Sequence, residues 1–275
     1  MVPFYLLLPV AILAGFIGAM SGMGGGIILI PALTLLGVDI KQAIAISILS
    51  VIATSSGSAS AYVRDHITNL KVGMFLEMFT IVGALVGATI TLASSPRPLY
   101  IAFGCVLLGS WIALLVAGHE SWREGAQDSV SKWLELEGSY FDQSQHAIIR
   151  YRARRAPLGG PLMFGAGLIA GLLGIGAGAV KVLIQDLVMG LPPKVSTTTS
   201  NLIIGVTALA GTSVYLVHGL IDPGLAAPVV IGVVAGAFLG TRVLVRISNR
   251  AVRQLFLIIL IVLAVEMIFR GIRGS

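Results

Sequence analysis

The hydrophobic pattern divides the chain into eight apolar segments separated by polar stretches. The segments lie at about 4–37, 42–62, 70–93, 98–117, 158–191, 195–217, 224–245 and 252–269. A helix that spans a membrane needs roughly 20 apolar residues, so six of these segments each predict one spanning helix. The first and fifth segments are too long for one ordinary span. The longest polar stretch, 118–157, predicts a connector with an interfacial helix around Val130–Leu136.

Composition supports a membrane protein. Only 11% of the residues are charged, whereas a soluble domain carries about 25%. The net charge is +6, and the basic residues cluster in short loops beside apolar segments. That placement is typical of the positive-inside rule and does not indicate nucleic-acid binding. The single cysteine, Cys105, excludes a disulfide within the chain and a cysteine zinc site.

An internal repeat relates the two halves. When the chain is shifted by 152 residues, Gly22, Gly24 and Gly26 match Gly174, Gly176 and Gly178. After one inserted residue the shift becomes 153, and it then aligns a longer series of residues. These matches are Gly37 with Gly190, Lys41 with Lys194, Ser47 with Ser200, Tyr62 with Tyr215, Gly83 with Gly236 and Gly87 with Gly240. We therefore expect a first transmembrane repeat at 1–117, a connector at 118–157 and a second repeat at 158–275.

The long first segment of each repeat contains a glycine cluster, at 22–26 and at 174–178. Each glycine costs a helix about 1 kcal/mol relative to alanine, so a helix break is expected at both clusters. If each broken segment enters the membrane and returns, 13 basic residues share one side and four lie opposite. If each crosses once, this bias almost disappears. The charges therefore favour two inverted repeats, both termini outside and a cytoplasmic connector.

Paired broken helices in inverted repeats indicate a transport site. The N-terminus of a half-helix favours an anion, and glycine lets the backbone approach that anion closely. We therefore predict an anion site between the breaks that includes Gly24, Gly25, Gly26, Gly176, Ala177 and Gly178. The alternative is that the glycines only allow close helix packing.

Lys181 is a charge within an apolar segment, and its counterpart in the first repeat is Leu29. Such a charge costs at least ~2.5 kcal/mol at membrane depth, so Lys181 should face a cavity or a partner. Lys181 could contact substrate, pair with Asp186 or reach an interface. Gln185 lies four residues further on, on the same helical face.

Hydroxyl and amide groups follow the breaks. Ser47 and its counterpart Ser200 lie in repeat register, beside Thr198 and Asn201. These groups could hydrogen-bond sulfonyl-type oxygens, or they could serve as helix caps and interhelical contacts. Glu77 is a candidate for carrying a coupling proton. For Glu266, an ion pair with Arg270, four residues away, is the preferred interpretation.

Enzyme motifs are missing from the sequence. It contains no H-E-x-x-H, no G-x-S-x-G and no Walker lysine motif, and all four histidines fall in predicted loops. We therefore expect no enzyme activity, no catalytic residues, no metal site and no cofactor. The driving force would be an ion gradient, the substrate gradient or a partner.

These motifs resemble the TauE/SafE sulfite-exporter family of bacterial membrane proteins. The resemblance rests on glycine-rich runs in a fixed order: Gly15-x-x-Gly18, residues 22–31, Leu36-Gly37, Tyr62, residues 171–178 and Tyr215-x-x-His-Gly219. It covers nearly the whole chain outside 118–157. It implies a secondary transporter, usually an exporter, of sulfite, sulfonates or thiosulfate. The chain departs from the family pattern at Ala177, Lys181 and Leu183, which bears on the substrate more than on the fold.

The expected protein is an all-α, multi-pass protein of the bacterial cytoplasmic membrane, with alternating access produced by movement of one half against the other. Its partners would be a small sulfur-containing anion and membrane lipid, with homo-oligomer formation left open and no nucleic acid. Two alternatives stand beside this interpretation: a passive anion channel, and a membrane assembly or sensory subunit.

Overall fold

A computed structural model describes residues 4–21, 25–64, 67–116, 127–142, 146–244 and 249–273. The first half contains α1 (Phe4–Ser21), α2 (Gly26–Leu35), α3 (Ile40–Arg64), α4 (Leu70–Ala93) and α5 (Pro96–Val116). The connector contains α6 (Ser129–Trp133), β1 (Glu137–Asp142) and β2 (Ala147–Arg152). The second half contains α7 (Ala156–Leu173), α8 (Gly178–Leu183), a π-helical turn (Ile184–Val188), α9 (Pro193–Val217), α10 (Pro223–Leu244) and α11 (Asn249–Arg273).

Each predicted apolar segment is helical. Within the described residues, Leu70–Ala93, Ala156–Leu173, Pro193–Val217 and Pro223–Gly240 are long and apolar enough to cross a membrane by themselves. Shorter apolar helices cover Leu6–Gly18, Gly26–Leu35 and Ile40–Ser56. The protein is therefore mostly helical, as expected of a multi-pass membrane protein.

The two long apolar segments each contain two helices. In the second, α7 ends at Leu173 and α8 begins at Gly178. Between them Gly174, Gly176 and Ala177 adopt φ values of +65°, +71° and +50°, the left-handed region that stops an α-helix. The predicted break is confirmed here. In the first segment α1 ends at Ser21 and α2 begins at Gly26, and residues 22–24 lie outside the described part of the chain.

The most extensive helix pairs join α1 with α10 and α4 with α7. Glycines produce both close approaches. A Cβ atom at Gly15 would lie 2.2 Å from the Val233 carbonyl oxygen, and one at Gly167 would lie 2.3 Å from the Thr80 carbonyl oxygen. Because Gly15 matches Gly167 at a shift of 152 and Thr80 matches Val233 at 153, the two contacts correspond in the repeat register.

Two further pairs join helices that match each other in the repeat. Ile48 of α3 lies against Gly211 of α9, and Ser55 lies against Gly205, so the two helices run antiparallel. In the other pair, Gly104 of α5 lies against Ile268 of α11. At the beginning of α5, Arg97 Nε donates a hydrogen bond to the Gly271 carbonyl oxygen, 3.2 Å away. This pair is antiparallel as well, because an earlier position on α5 contacts a later one on α11.

The connector departs from the predicted all-α fold. The helix predicted at Val130–Leu136 ends at Trp133, and an antiparallel hairpin follows, with Tyr140 opposite Ile149. Tyr140, Tyr151 and Leu136 are buried against helices of the bundle. The expectation missed this hairpin because its anchoring partners lie elsewhere in the chain.

Asn69, just before α4, is a polar anchor of the connector. Its side-chain amide donates to Tyr151 Oη at 3.0 Å and to the Glu137 carbonyl at 3.2 Å. Its backbone N–H donates to Thr199 Oγ1 of α9, 3.1 Å away. The hairpin is therefore joined to the ends of both α4 and α9.

Candidate functional site

The beginning of α2 and the second helix break meet at Ser47 of α3. The Ser47 hydroxyl donates a hydrogen bond to the Gly174 carbonyl oxygen, 3.1 Å away, in the second break. A Cβ atom at Gly26, the first residue of α2, would lie 2.6 Å from Ser47 Oγ and 2.9 Å from the Gly174 carbonyl oxygen. Glycine at position 26 therefore lets the beginning of α2 lie directly against the second break.

A small cleft opens beside this contact. Ile27 of α2, Ile175 and the stretch 177–180 line one side, and Val106 and Ser110 of α5 line the other. It holds about one water-sized molecule in this conformation. The first turns of both α2 and α8 thus reach a single cleft.

The cleft is lined mainly by apolar atoms, and the N-terminal turns of two helices reach it. The first N–H groups of a helix have no partner within that helix, and they carry the positive end of the helix dipole. The first turn of α8 follows Ala177 and carries only small residues at Gly178 and Ala179. An anion in the cleft would receive backbone hydrogen bonds from two helix ends, and Ser110 could add a hydroxyl from α5.

Comparison with known proteins identifies the family of the chain. The model of the family described as "Sulfite exporter TauE/SafE" matches residues 7–267. The chain belongs to this family.

Two curated relatives from Bacillus subtilis (strain 168) are similar to this TauE/SafE member. The "Probable membrane transporter protein YunE" is 25% identical over 278 residues, covering 98% of each chain. The "Probable membrane transporter protein YdhB" is 26% identical over 240 residues, covering 86% of this chain and 89% of the relative. No solved structure matches the chain. The family and these relatives identify a membrane transporter.

The predicted glycine residues fall at or beside the cleft. Ala177 and Gly178 line it, and Gly176 packs against Ile204 and Val51 just behind it. Gly25 lies against the Ala14 carbonyl of α1. The prediction that Gly24 contributes falls outside the described residues.

Lys181 directly follows the cleft residue Val180 in the chain, but it does not line the cleft itself. Its side chain is fully buried, and its ammonium donates a hydrogen bond to Thr207 Oγ1 of α9, 3.0 Å away. Gln185 is also fully buried and donates from Nε2 to the Lys181 carbonyl oxygen, 3.3 Å away. Among the described ion pairs Lys181 has none with Asp186, whose carboxyl lies near Ser196. The structure thus favours a polar cluster among α4, α8 and α9.

The polar residues of α9 differ in their partners. Thr198 Oγ1 donates to the Val195 carbonyl and Asn201 Nδ2 to the Thr197 carbonyl, each at 3.1 Å, so both are bonded within their own helix. Ser200 is buried, and its hydroxyl has no partner among the described residues. Ser47 is the member of this group that touches a break.

The two acidic residues singled out in the apolar segments, Glu266 and Glu77, also differ in their partners. The predicted pair of Glu266 with Arg270 is confirmed, with Oε1 and Nε 2.9 Å apart. Glu77 is partly buried on α4, and its Oε1 atom has no hydrogen-bond partner in the described part of the protein. The described ion pairs include none between Glu77 and Lys181, so these opposite charges act on each other only at longer range.

Sequence reasoning named two of the cleft residues, Ala177 and Gly178, and missed the other six: Ile27, Val106, Ser110, Ile175, Ala179 and Val180. Ser110 is a single hydroxyl in an apolar helix, and Val106 and Ile27 carry no polar signal at all. Their roles depend on where α5 packs, and no local pattern records that position.

Proposed function

We propose that the chain is a secondary transporter, acting as an exporter, of small sulfur-containing anions such as sulfite or organosulfonates. The observation that carries this proposal is that the first turns of α2 and α8 line one cleft. Two positive helix ends can bind an oxyanion through backbone N–H groups without placing a charged side chain in the cleft. The family description supports the sulfur-oxyanion class.

We further propose that the halves are inverted repeats. The glycine contacts between α1 and α10 correspond to those between α7 and α4. The matching helices α3 and α9 run antiparallel, as do α5 and α11. A two-fold axis in the membrane plane reverses helix direction, whereas an axis along the membrane normal keeps it. The packing therefore supports inversion, with the cleft near the axis.

The moving units in our proposal differ from the repeat boundaries. The first group comprises α1, α2, α3 and α10, and the second comprises α7, α8, α9 and α4. Each group contains one helix from the other half of the chain: α10 packs with α1, and α4 packs with α7. Movement of one half against the other would therefore separate these two extensive helix pairs. We therefore propose that alternating access comes from movement between these mixed groups, across the α3–α9 contact.

We propose that the connector faces the cytoplasm and that both termini lie outside. The support is the distribution of basic residues, 13 against four, under that topology. Cysteine labelling at an exposed connector position such as Trp133→Cys, which is 81% exposed in the native residue, would test it. The label should react only after the membrane is permeabilised.

A test of function combines anion binding and flux. A specific anion at 100 times its Kd stabilises the folded state by about 2.7 kcal/mol. Purified protein should therefore melt at a higher temperature with sulfite or a sulfonate than with chloride at equal ionic strength. In proteoliposomes, an unlabelled anion inside should drive accumulation of labelled anion from outside, because a carrier exchanges substrates.

A matched pair of variants locates the site. Ala179→Leu places a larger side chain in the cleft and should abolish both stabilisation and exchange. Ala235→Leu makes the same change on the exposed surface of α10 and should leave both intact. Flux without exchange would favour a passive channel. Failure of every anion to stabilise the wild-type protein would favour an assembly or sensory subunit.

A further inference from the structure

The polar cluster around Lys181 lies on a different side of α8 from the cleft. Lys181 Nζ donates to Thr207 Oγ1 at 3.0 Å, and the Thr207 and Thr80 hydroxyl oxygens lie 3.1 Å apart. These contacts connect α8, α9 and α4. An ammonium carries three donors, and Thr207 is the acceptor that the structure describes for it.

Glu77 supplies the opposite charge. It precedes Thr80 by three residues on α4, so the two side chains share a face of that helix. Its Oε1 atom is buried and lacks a hydrogen-bond partner among the described residues. The described ion pairs include none between Glu77 and Lys181, so the two opposite charges act on each other at longer range than a direct contact. A buried charge is costly unless it is paired, so neither residue is well satisfied without the other.

The packed group formed by α1, α2, α3 and α10 carries neither charge at the corresponding positions. In the repeat register Lys181 corresponds to Leu29, and Glu77 corresponds to Val230. Thr80 corresponds to Val233, while Thr207 keeps a hydroxyl at its counterpart Thr54. Both charges thus lie in the packed group of α4, α7, α8 and α9, and both are replaced by apolar residues in the group of α1, α2, α3 and α10. This pattern is expected of two residues that act together.

We propose that Glu77 takes up one proton when an anion binds in the cleft, and that Lys181 holds Glu77 ionised while the cleft is empty. With the carboxylate and the ammonium both charged, the pair is neutral. A proton added to the Glu77 carboxylate leaves the pair with one positive charge, next to a bound anion on the same short helix. This inference rests on the proposed anion site, and reciprocity then requires that protonation strengthen anion binding.

Few other titratable groups face this pair. Asp186, in the π-helical turn after α8, lies near Ser196. Within the described residues, α7 carries no titratable side chain, and α9 carries only Lys194, which is exposed, and Tyr215, which donates to the Gly171 carbonyl. On α5, Arg97 bonds to the end of α11 and Cys105 is exposed. On α4, Lys71 pairs with Glu135 of the connector.

The first experiment tests the pair without any ligand. Melting temperatures of the wild type, Glu77→Gln, Lys181→Met and the double variant form a double-mutant cycle. If the residues are partners, Lys181→Met should melt lower than the double variant, because it leaves the Glu77 carboxylate buried alone. Additive effects of the two substitutions would overturn the pairing.

The second experiment tests proton uptake, with methanesulfonate as the probe because its own charge is constant near neutral pH. Wild-type affinity should fall by up to about tenfold per pH unit as pH rises above the point where Glu77 loses its proton, since one proton binds with one anion. Glu77→Gln mimics the protonated carboxyl and should bind with affinity that does not change with pH. Glu266→Gln, which removes an acid paired elsewhere, should keep the wild-type slope.

The outcomes separate the two proposals. Methanesulfonate binding with no slope in the wild type, or with an unchanged slope in Glu77→Gln, would refute the coupling and leave the anion site standing. A non-additive melting cycle with no slope would make the pair purely structural. If no sulfonate or sulfite binds the wild type at any pH, the anion site itself fails, and the coupling fails with it.

Discussion

The hydrogen bond from Ser47 Oγ to the Gly174 carbonyl oxygen, 3.1 Å long, joins α3 of the first half to the helix break of the second. Gly174 has a φ of +65° and ends α7, so its carbonyl cannot be satisfied by a continuing helix. Ser47 supplies the missing donor at the place where α2 also begins.

Removing this hydroxyl should destabilise the protein. Ser47→Ala leaves the Gly174 carbonyl without its described side-chain donor, and an unsatisfied buried polar group costs about 1–3 kcal/mol. Thermal unfolding in detergent should show a clear drop in melting temperature. Ser213→Ala, which removes an exposed hydroxyl bonded within α9, is the control. Equal effects of the two variants would contradict a specific role for Ser47.

Enlarging Gly26 should disrupt the meeting of the breaks. In Gly26→Ala the new methyl group would lie 2.6 Å from Ser47 Oγ and 2.9 Å from the Gly174 carbonyl oxygen, which is closer than van der Waals contact. We expect loss of anion exchange in proteoliposomes and a lower melting temperature. Gly165→Ala in α7, where a Cβ would meet nothing within 4 Å, should be neutral or slightly stabilising, because alanine favours a helix.

Ala177 should tolerate glycine better than an ordinary helical alanine does. Its φ of +50° is left-handed, which costs an L-residue roughly 1–2 kcal/mol, while glycine adds about 0.4–1 kcal/mol of unfolded-state entropy. Ala177→Gly should therefore be neutral or stabilising by up to ~1 kcal/mol in thermal unfolding. Ala235→Gly, on the exposed face of α10, should cost about 1 kcal/mol. A loss at position 177 as large as that at 235 would show that the backbone there is unstrained.

The connector should loosen in acid. Partial burial of Asp128 would raise the pKa of its carboxyl, but hydrogen bonds from Ser131 and from the Ala156 N–H outweigh that effect and hold the pKa below the usual 3.8. A carboxyl whose pKa is lower in the folded state than in the unfolded state stabilises the fold fully at pH values above its unfolded-state pKa. This stabilisation is lost as the pH falls through its folded-state pKa. Hydrogen exchange at Ser131 and Leu136 should therefore show reduced protection, after correction for intrinsic rates, once the pH falls below about 4.

The variant Asp128→Asn distinguishes the contribution of the Asp128 carboxyl to this acid response from that of the other acidic residues in the connector. The variant should show weaker protection of Ser131 at neutral pH and little further loss in acid, because the titrating group is gone. An unchanged acid response in Asp128→Asn would assign the effect to another carboxylate.

Much of the fold could be predicted from local patterns. Hydropathy locates the long apolar helices among the described residues, and the second glycine cluster locates the junction between α7 and α8 through the backbone freedom of glycine. The spacing of Glu266 and Arg270 predicts their ion pair, because residues four apart on a helix are neighbours. The hairpin at 137–152 was missed, since Tyr140 and Tyr151 are buried by helices that the local pattern does not reveal.

The sequence by itself determined the apolar segments, the repeated register, the breaks and the presence of one unmatched lysine. Each of these follows from residue type and spacing along the chain. Only the tertiary structure decided that Ser47 touches Gly174, that Ser110 faces α8 and that Lys181 contacts Thr207 near Glu77 rather than pairing with Asp186. The hydrogen-bonded residues Lys181 and Thr207 are 26 positions apart in the chain, and Ser47 and Gly174 are 127 positions apart. Contacts over such separations depend on how whole helices pack, and that packing is set by close approach at glycines such as Gly15 and Gly167.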